Sequence, residues 1–250
     1  FSAASASITL VFFAMFGTVF LIAQYLQFVL GFTPFQAGLR VMPVATLIVA
    51  APLSARLTEK FGSKIVVTAG LVIVATALTV MAGVDVDGGY GRVALALSIM
   101  GFGMGMTMAP ATDSIMGSLP LAKAGVGSAM NDTTRQVGGA LGVAVLGSVL
   151  ASTYSAAMTP VVAALRSPAS DLALDSVGGA AGVAAQIGEA GAGLLNAAAS
   201  AFVDGMGNAV LVAAGVALIG AVVSALFLPS RATDDQVDLA KEAGVSLGAG

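Results

Sequence analysis

The stretch Ala55–Lys64, ARLTEKFGSK, gathers Arg56, Glu59, Lys60 and Lys64 in a chain of which only 9% is charged. Long apolar runs flank it, Gly38–Ala55 before and Ser63–Gly83 after. A charged turn set between two such runs reads as the place where neighbouring membrane helices meet water. Composition supports this. Soluble domains are about 45–50% apolar and carry roughly 25–35% charged residues on their surfaces. This chain is 58% hydrophobic, with a mean hydropathy of +0.99. Lipid is the solvent that such a balance suits.

Working outward from that turn, a span needs about 20 mainly apolar residues to cross roughly 30 Å of hydrocarbon. Six stretches qualify: Ile8–Leu30, Gly38–Ala55, Ser63–Gly83, Val93–Ala111, Gln136–Thr153 and Asn208–Leu228. All six are predicted to be helices, because an open strand would leave backbone groups unpaired in lipid. The expected fold is an all-α membrane protein, a six-transmembrane-helix bundle. With neither Cys nor His in the chain, thiol chemistry, disulfides and His-based catalysis are excluded. A net charge of −3 argues against nucleic acid, whose binders carry a basic stripe. Position 1 is Phe rather than Met, so the chain reads as having lost its natural start.

Numbering the connections alternately on two sides of the membrane sorts the basic residues. One side receives Arg56, Lys60, Lys64, Lys123, Arg135, Arg231 and Lys241; the other receives Arg40, Arg92 and Arg166. Such an excess marks the cytoplasmic side. The predicted organisation is therefore residues 1–153 as helices one to five, and 154–207 as an extracytoplasmic loop with surface helices. Residues 208–228 form the sixth helix and 229–250 a cytoplasmic tail. Within the loop, Val177–Phe202 is apolar enough to suggest a seventh span, but Gln186, Glu189 and Asn196 interrupt it. An acid at mid-bilayer costs about 2.5–3.5 kcal/mol on insertion scales.

Glycines stud two helices: Gly101, Gly103 and Gly105 in GFGMGMTMAP, which Pro110 is expected to close, then Gly138 and Gly142. Small residues let helices approach closely in lipid. Packing surface is the plain reading; interruption of transporter helices by Gly and Pro is the sharper one. In the first span, Gln24 and Gln27 flank Tyr25 near the outer end, beyond Phe16 and Phe20. Polar side chains at membrane depth usually face a bundle interior or cavity, and adaptable apolar walls suit promiscuous binding. These five are the substrate-cavity candidates, against the alternative that the Phe residues face lipid and the Gln residues the interface. Asp113 carries a proton or pairs with Arg135 or Lys123. Asn131-Asp132 reads as the N-terminal cap of the fifth helix, which would put Arg135 in its first turn, against the dipole.

PATDSIMGSLPLAKAGVGSAMNDTTRQVGGALGVAVLGSVL, Pro110–Leu150, resembles the fourteen-span multidrug-efflux branch of the major facilitator superfamily. YLQFVLGFTPFQAGLRVMP, Tyr25–Pro43, and AFVDGMGNAV, 201–210, are similar to the same branch. ARLTEKFGSK resembles the superfamily's signature cytoplasmic loop: Ala55 stands for its first Gly, Glu59 for the Asp and Lys60 for the Arg, while Gly62 and Lys64 fit. Lys lacks the bidentate fork of Arg. The resemblance implies the C-terminal half of an exporter of hydrophobic or cationic small molecules, such as drugs or metabolites. It further implies proton exchange without an organic cofactor, and an inner-membrane location beside an absent N-terminal half.

On this reading Arg56, Glu59, Lys60 and Lys64 form a gating latch, with Glu59 near the third helix's N-terminus. Unchanged transport and accessibility labelling in Glu59→Gln would remove that idea and leave positive-inside anchoring. Two other readings stand beside export. One is a half-length membrane protein inert without a separate N-terminal half. The other is a membrane enzyme, for which no GxSxG, HExxH or Cys nucleophile occurs.

Overall fold

Every regular element is helical among the residues that the computed structural model describes, 2–117, 124–163, 170–188 and 191–228. Lys123, Arg166, Glu189 and the tail with Arg231 and Lys241 lie outside the described residues. In chain order, α1 (Ser2–Gln24) runs on through a π-helical turn, Tyr25–Val29. Then come α2 (Pro34–Arg40), a 3-10 turn (Met42–Thr46), α3 (Leu47–Phe61), α4 (Ser63–Ala82) and α5 (Gly91–Gly117). The last four are α6 (Ala124–Ala163), α7 (Ser170–Asp175), α8 (Val177–Ile187) and α9 (Gly191–Phe227). Six helical segments are long and apolar enough to cross a membrane, as predicted.

Local chemistry sets the breaks. Thr33 caps α2 through a full capping box with Gln36, and Pro34 occupies the first turn, where its missing N–H costs nothing. Pro43 opens the 3-10 turn. The second span is thus jointed, and its α3 part continues through the charged stretch to Phe61. Gly62 alone separates α3 from α4; its φ of 85° is one that glycine adopts without a Cβ penalty.

Three predicted boundaries are corrected. Pro110 does not close the fourth span: α5 continues to Gly117, with Ser114 Oγ donating to the Pro110 carbonyl at 2.8 Å. Proline is tolerated inside membrane helices, where breaking the helix would strand more backbone than the proline does. Asn131 and Asp132 are not a cap, since α6 begins at Ala124 and holds both in its interior. Nor is 154–207 a loop carrying only surface helices. α6 continues to Ala163 and α9 starts at Gly191, so that at about 1.5 Å per residue each exceeds 50 Å, well beyond a bilayer's core. Between these projecting ends lie α7 and α8, and Tyr154, Met158, Ala173, Val177, Val183 and Leu194 are buried there. At 11 residues, α8 is too short to span.

Packing follows small residues. α1 packs against α6 and α9, α4 against α5 and α9, and α3 against α5. A Cβ on Gly103 would stand 2.7 Å from the Gly70 carbonyl, and one on Gly70 2.8 Å from that of Gly103. α4 and α5 therefore touch backbone to backbone. Deep between α1 and α9, Ser7 and Ser224 share a 2.7 Å hydrogen bond.

Candidate functional site

The described charges collect at the two ends of the bundle. On the last turns of α3, Arg56, Glu59 and Lys60 are exposed, and Lys64 lies half-buried in the first turn of α4. Glu59 therefore belongs to the C-terminal end of α3 and not to the start of α4. Among the described residues it pairs with none of these bases; the Lys60 ammonium instead sits 5.2 Å over the Phe61 ring. The Gly62 N–H closes α3 on the Thr58 carbonyl at 2.8 Å, which keeps the connection at one residue.

Arg135 and Asp113 do not pair. The Arg135 guanidinium donates to Thr112 Oγ1 at 3.3 Å and lies 5.3 Å from the Phe12 ring centre, while its Nε is buried without a partner. Asp113 is exposed. Successive helix residues diverge by about 100°, so only Thr112 can face α6. Phe12 stacks on Phe16 at 5.9 Å, which extends the contact along α1.

The five predicted packing glycines all stand at helix contacts. A Cβ on Gly101 would collide with the Val44 carbonyl, and one on Gly105 would meet the Leu47 carbonyl at 2.6 Å. One on Gly138 would strike the Thr9 carbonyl and one on Gly142 that of Phe13. α1 and α6 consequently lie as close as α4 and α5.

At the opposite end from the charged turn, a cleft of about 320 Å³ opens between α1, α6, the α7–α8 junction and α9. Two of the substrate-cavity candidates, Phe20 and Gln24, line it, together with Tyr154, Asp175, Ser176 and Phe202. The other cavity candidates lie elsewhere. Tyr25 is fully buried and its hydroxyl donates to the Asp85 carbonyl at 2.8 Å, so it braces the connection between α4 and α5. Gln27 donates to the Ala23 carbonyl, and Phe16 is 46% exposed over Gly139. Tyr154, Asp175 and Phe202 went unforeseen because they are scattered in sequence. One signal was available: Leu194, Ala198, Ala201, Gly205 and Ala209 recur every three to four residues, marking a buried stripe on α9 upstream of its most apolar part.

At the C-terminal end of α2, Arg40 is clamped. Its guanidinium lies 3.6 Å over the Phe32 ring, and the Tyr90 hydroxyl donates to its carbonyl at 2.7 Å. Burial pushes the Tyr90 phenol above its ordinary 10.0, against the pull of Arg40, so it remains a donor at neutral pH. Among the described residues no group of His, Cys, Asp or Glu is arranged to hold a metal ion.

The chain is similar to known proteins. The profile of the Major Facilitator Superfamily matches residues 2–143. The tetracenomycin C resistance and export protein of Streptomyces glaucescens is 32% identical over 94% of this chain and 45% of its own length. The multidrug efflux pump LfrA of Mycolicibacterium smegmatis is 31% identical over 84% of this chain and 42% of its own. The chain thus spans less than half the length of these curated relatives. Among solved structures, a bacterial homolog of the human lysosomal transporter Spinster, inward-facing and unoccupied, superposes with a TM-score of 0.63. That match has 20% identity over 88% of this chain and 47% of the other, and it speaks to the fold. With six helices built to cross a membrane and more than half of its length matched by the family profile, the chain is a multi-pass membrane protein of the major facilitator superfamily.

Proposed function

We propose that the chain forms the C-terminal half of a fourteen-span exporter, which expels hydrophobic or cationic small molecules by alternating access in exchange for protons. The N-terminal half would complete the transport path. The turn at Gly62 and the tail 229–250 would lie in the cytoplasm, with the cleft at the outer face. The observation that supports export is the match over most of this chain to two proteins named for export and efflux. An enzyme reading has no counterpart among these relatives. Asp113 and Asp132 are exposed near the inner end, so the main proton carrier is assigned to the other half. The test is accumulation of a lipophilic cationic dye in cells expressing the full-length protein. Several-fold lower accumulation than in control cells, abolished by an uncoupler, is the expected result. Equal accumulation in both would refute export, and export that ignores the uncoupler would refute proton exchange.

A further inference from the structure

Arg135 is a half-buried cation without an anion. Contacts between α6 and α1 fix its level: Gly138 sits against the Thr9 backbone and Gly142 against that of Phe13. The two helices thus run parallel, and Arg135 stands beside the first turns of the span in α1. Basic side chains within membrane helices are rare, pair with a neighbour or face a cavity, and mark the route of a substrate or ion. No acid pairs with Arg135 among the described residues. Asp132 on its own helix and Asp113 beside Thr112 are both exposed.

The groups that hold Arg135 leave donors over. Nη2 donates to Thr112 Oγ1 at 3.3 Å, and the guanidinium carbon lies 5.3 Å from the Phe12 ring centre. Nε is buried without a partner, while Nη1 is neither bonded among the described residues nor sealed. One turn earlier on the same helix face, Asn131 is 8% exposed and its Oδ1 is unpartnered. The Ser5 hydroxyl, level with Thr134 by the same register, is also buried and unpartnered. Buried polar groups ordinarily find partners, and here three at one end of the α1–α6 seam have none. An Asn amide that turns over offers NH2 in place of its carbonyl, and a hydroxyl donates as readily as it accepts. All three are then donors, and the complement of such a set beside a guanidinium is an oxyanion.

The apolar neighbours narrow the class. Phe12 stacks on Phe16 at 5.9 Å, and Phe16 is 46% exposed where it crosses Gly139. An open aromatic ring therefore lies one turn beyond the unpaired charge. We propose that Arg135 seats the carboxylate of aromatic acids. Nη1 makes the first contact, Nε and the Asn131 amide supply further donors, and the Phe16 ring lies against the apolar body. Such anionic ligands go beyond the hydrophobic and cationic compounds of the export reading. That reading supplies the use of the site in the cell; the binding chemistry stands without it.

The test is equilibrium dialysis of 2-naphthoate and 2-naphthamide against the full-length protein in nanodiscs. The two probes share a ring system, and at about pH 7 only the first is charged. The expected result is naphthoate binding about tenfold tighter than naphthamide, the size of one charge-assisted hydrogen-bonded pair. Arg135→Gln removes that preference and leaves naphthamide unchanged, which also shows that the variant is folded. Arg135→Lys keeps part of it, as a point charge without the fork, and Phe16→Ala weakens both probes. Should Arg135→Gln fail to fold, Asn131→Asp decides: its carboxylate competes for Arg135 and weakens naphthoate alone. Equal binding of the two probes, as when an acid elsewhere in the full-length protein already neutralises Arg135, overturns the proposal. So does an effect of Arg135→Gln or Asn131→Asp that is absent or common to both probes. Cellular export of naphthoate and of the cationic dye is measured separately. Selective naphthoate binding with export of neither sinks the export reading and keeps the site; dye export with Arg135-independent naphthoate binding does the reverse.

Discussion

Thr112 and Asp113 are chain neighbours, yet only Thr112 reaches Arg135. A side chain's partner is decided by which face of the helix it occupies, and charge complementarity in the sequence does not report that. A double-mutant cycle measured by thermal unfolding in detergent separates the two pairings. Arg135→Gln with Thr112→Val shows a coupling of about 1 kcal/mol, as expected for one long hydrogen bond to a charged group. Arg135→Gln with Asp113→Asn shows less than about 0.5 kcal/mol, the ordinary additivity error. The same limit explains the cavity candidates. Gln24 and Tyr25 differ by one position, and one lines the cleft while the other is sealed against Asp85. Residue type marked the region; the face, set by tertiary packing, chose between them.

Elements were legible where the lipid imposes them and illegible where it does not. Six apolar runs required six helices, and all six exist. Their ends went astray because polarity was read as termination. Arg56 to Lys60 lengthen α3, Asn131 and Asp132 sit inside α6, and Asp204 rides on the exposed side of α9. A helix past the bilayer continues as long as it has a stripe to bury, as α9 does on its approach to Gly205. The glycines were read correctly as close contacts, although their partners were not readable. That assignment is testable at a single position. Gly142→Val drives a side chain into the Phe13 backbone, whereas Gly215, with nothing within 4 Å, meets open space. Overpacking of this kind costs about 1–3 kcal/mol. The melting temperature of Gly142→Val in detergent falls by several degrees, and that of Gly215→Val stays close to the parent value.

At the scale of the whole molecule, charge separates along the bundle. The end holding Gly62 carries Arg56, Lys60, Lys64 and Arg135 among the described residues, and the end holding Gly88 carries most of the acids. The proposed orientation rests on this asymmetry, and every proposed functional assignment depends on it. In that proposal the charged turn lies inside, the cleft outside, and export runs from one to the other. The absence of native cysteine makes the orientation directly measurable with single introduced thiols. Lys60→Cys and Asp87→Cys, both at exposed positions, are each treated with a membrane-impermeant maleimide in intact cells. The account predicts that Asp87→Cys labels at once and Lys60→Cys only after permeabilisation. Labelling of both from the same side, or of Lys60→Cys alone in intact cells, would contradict it.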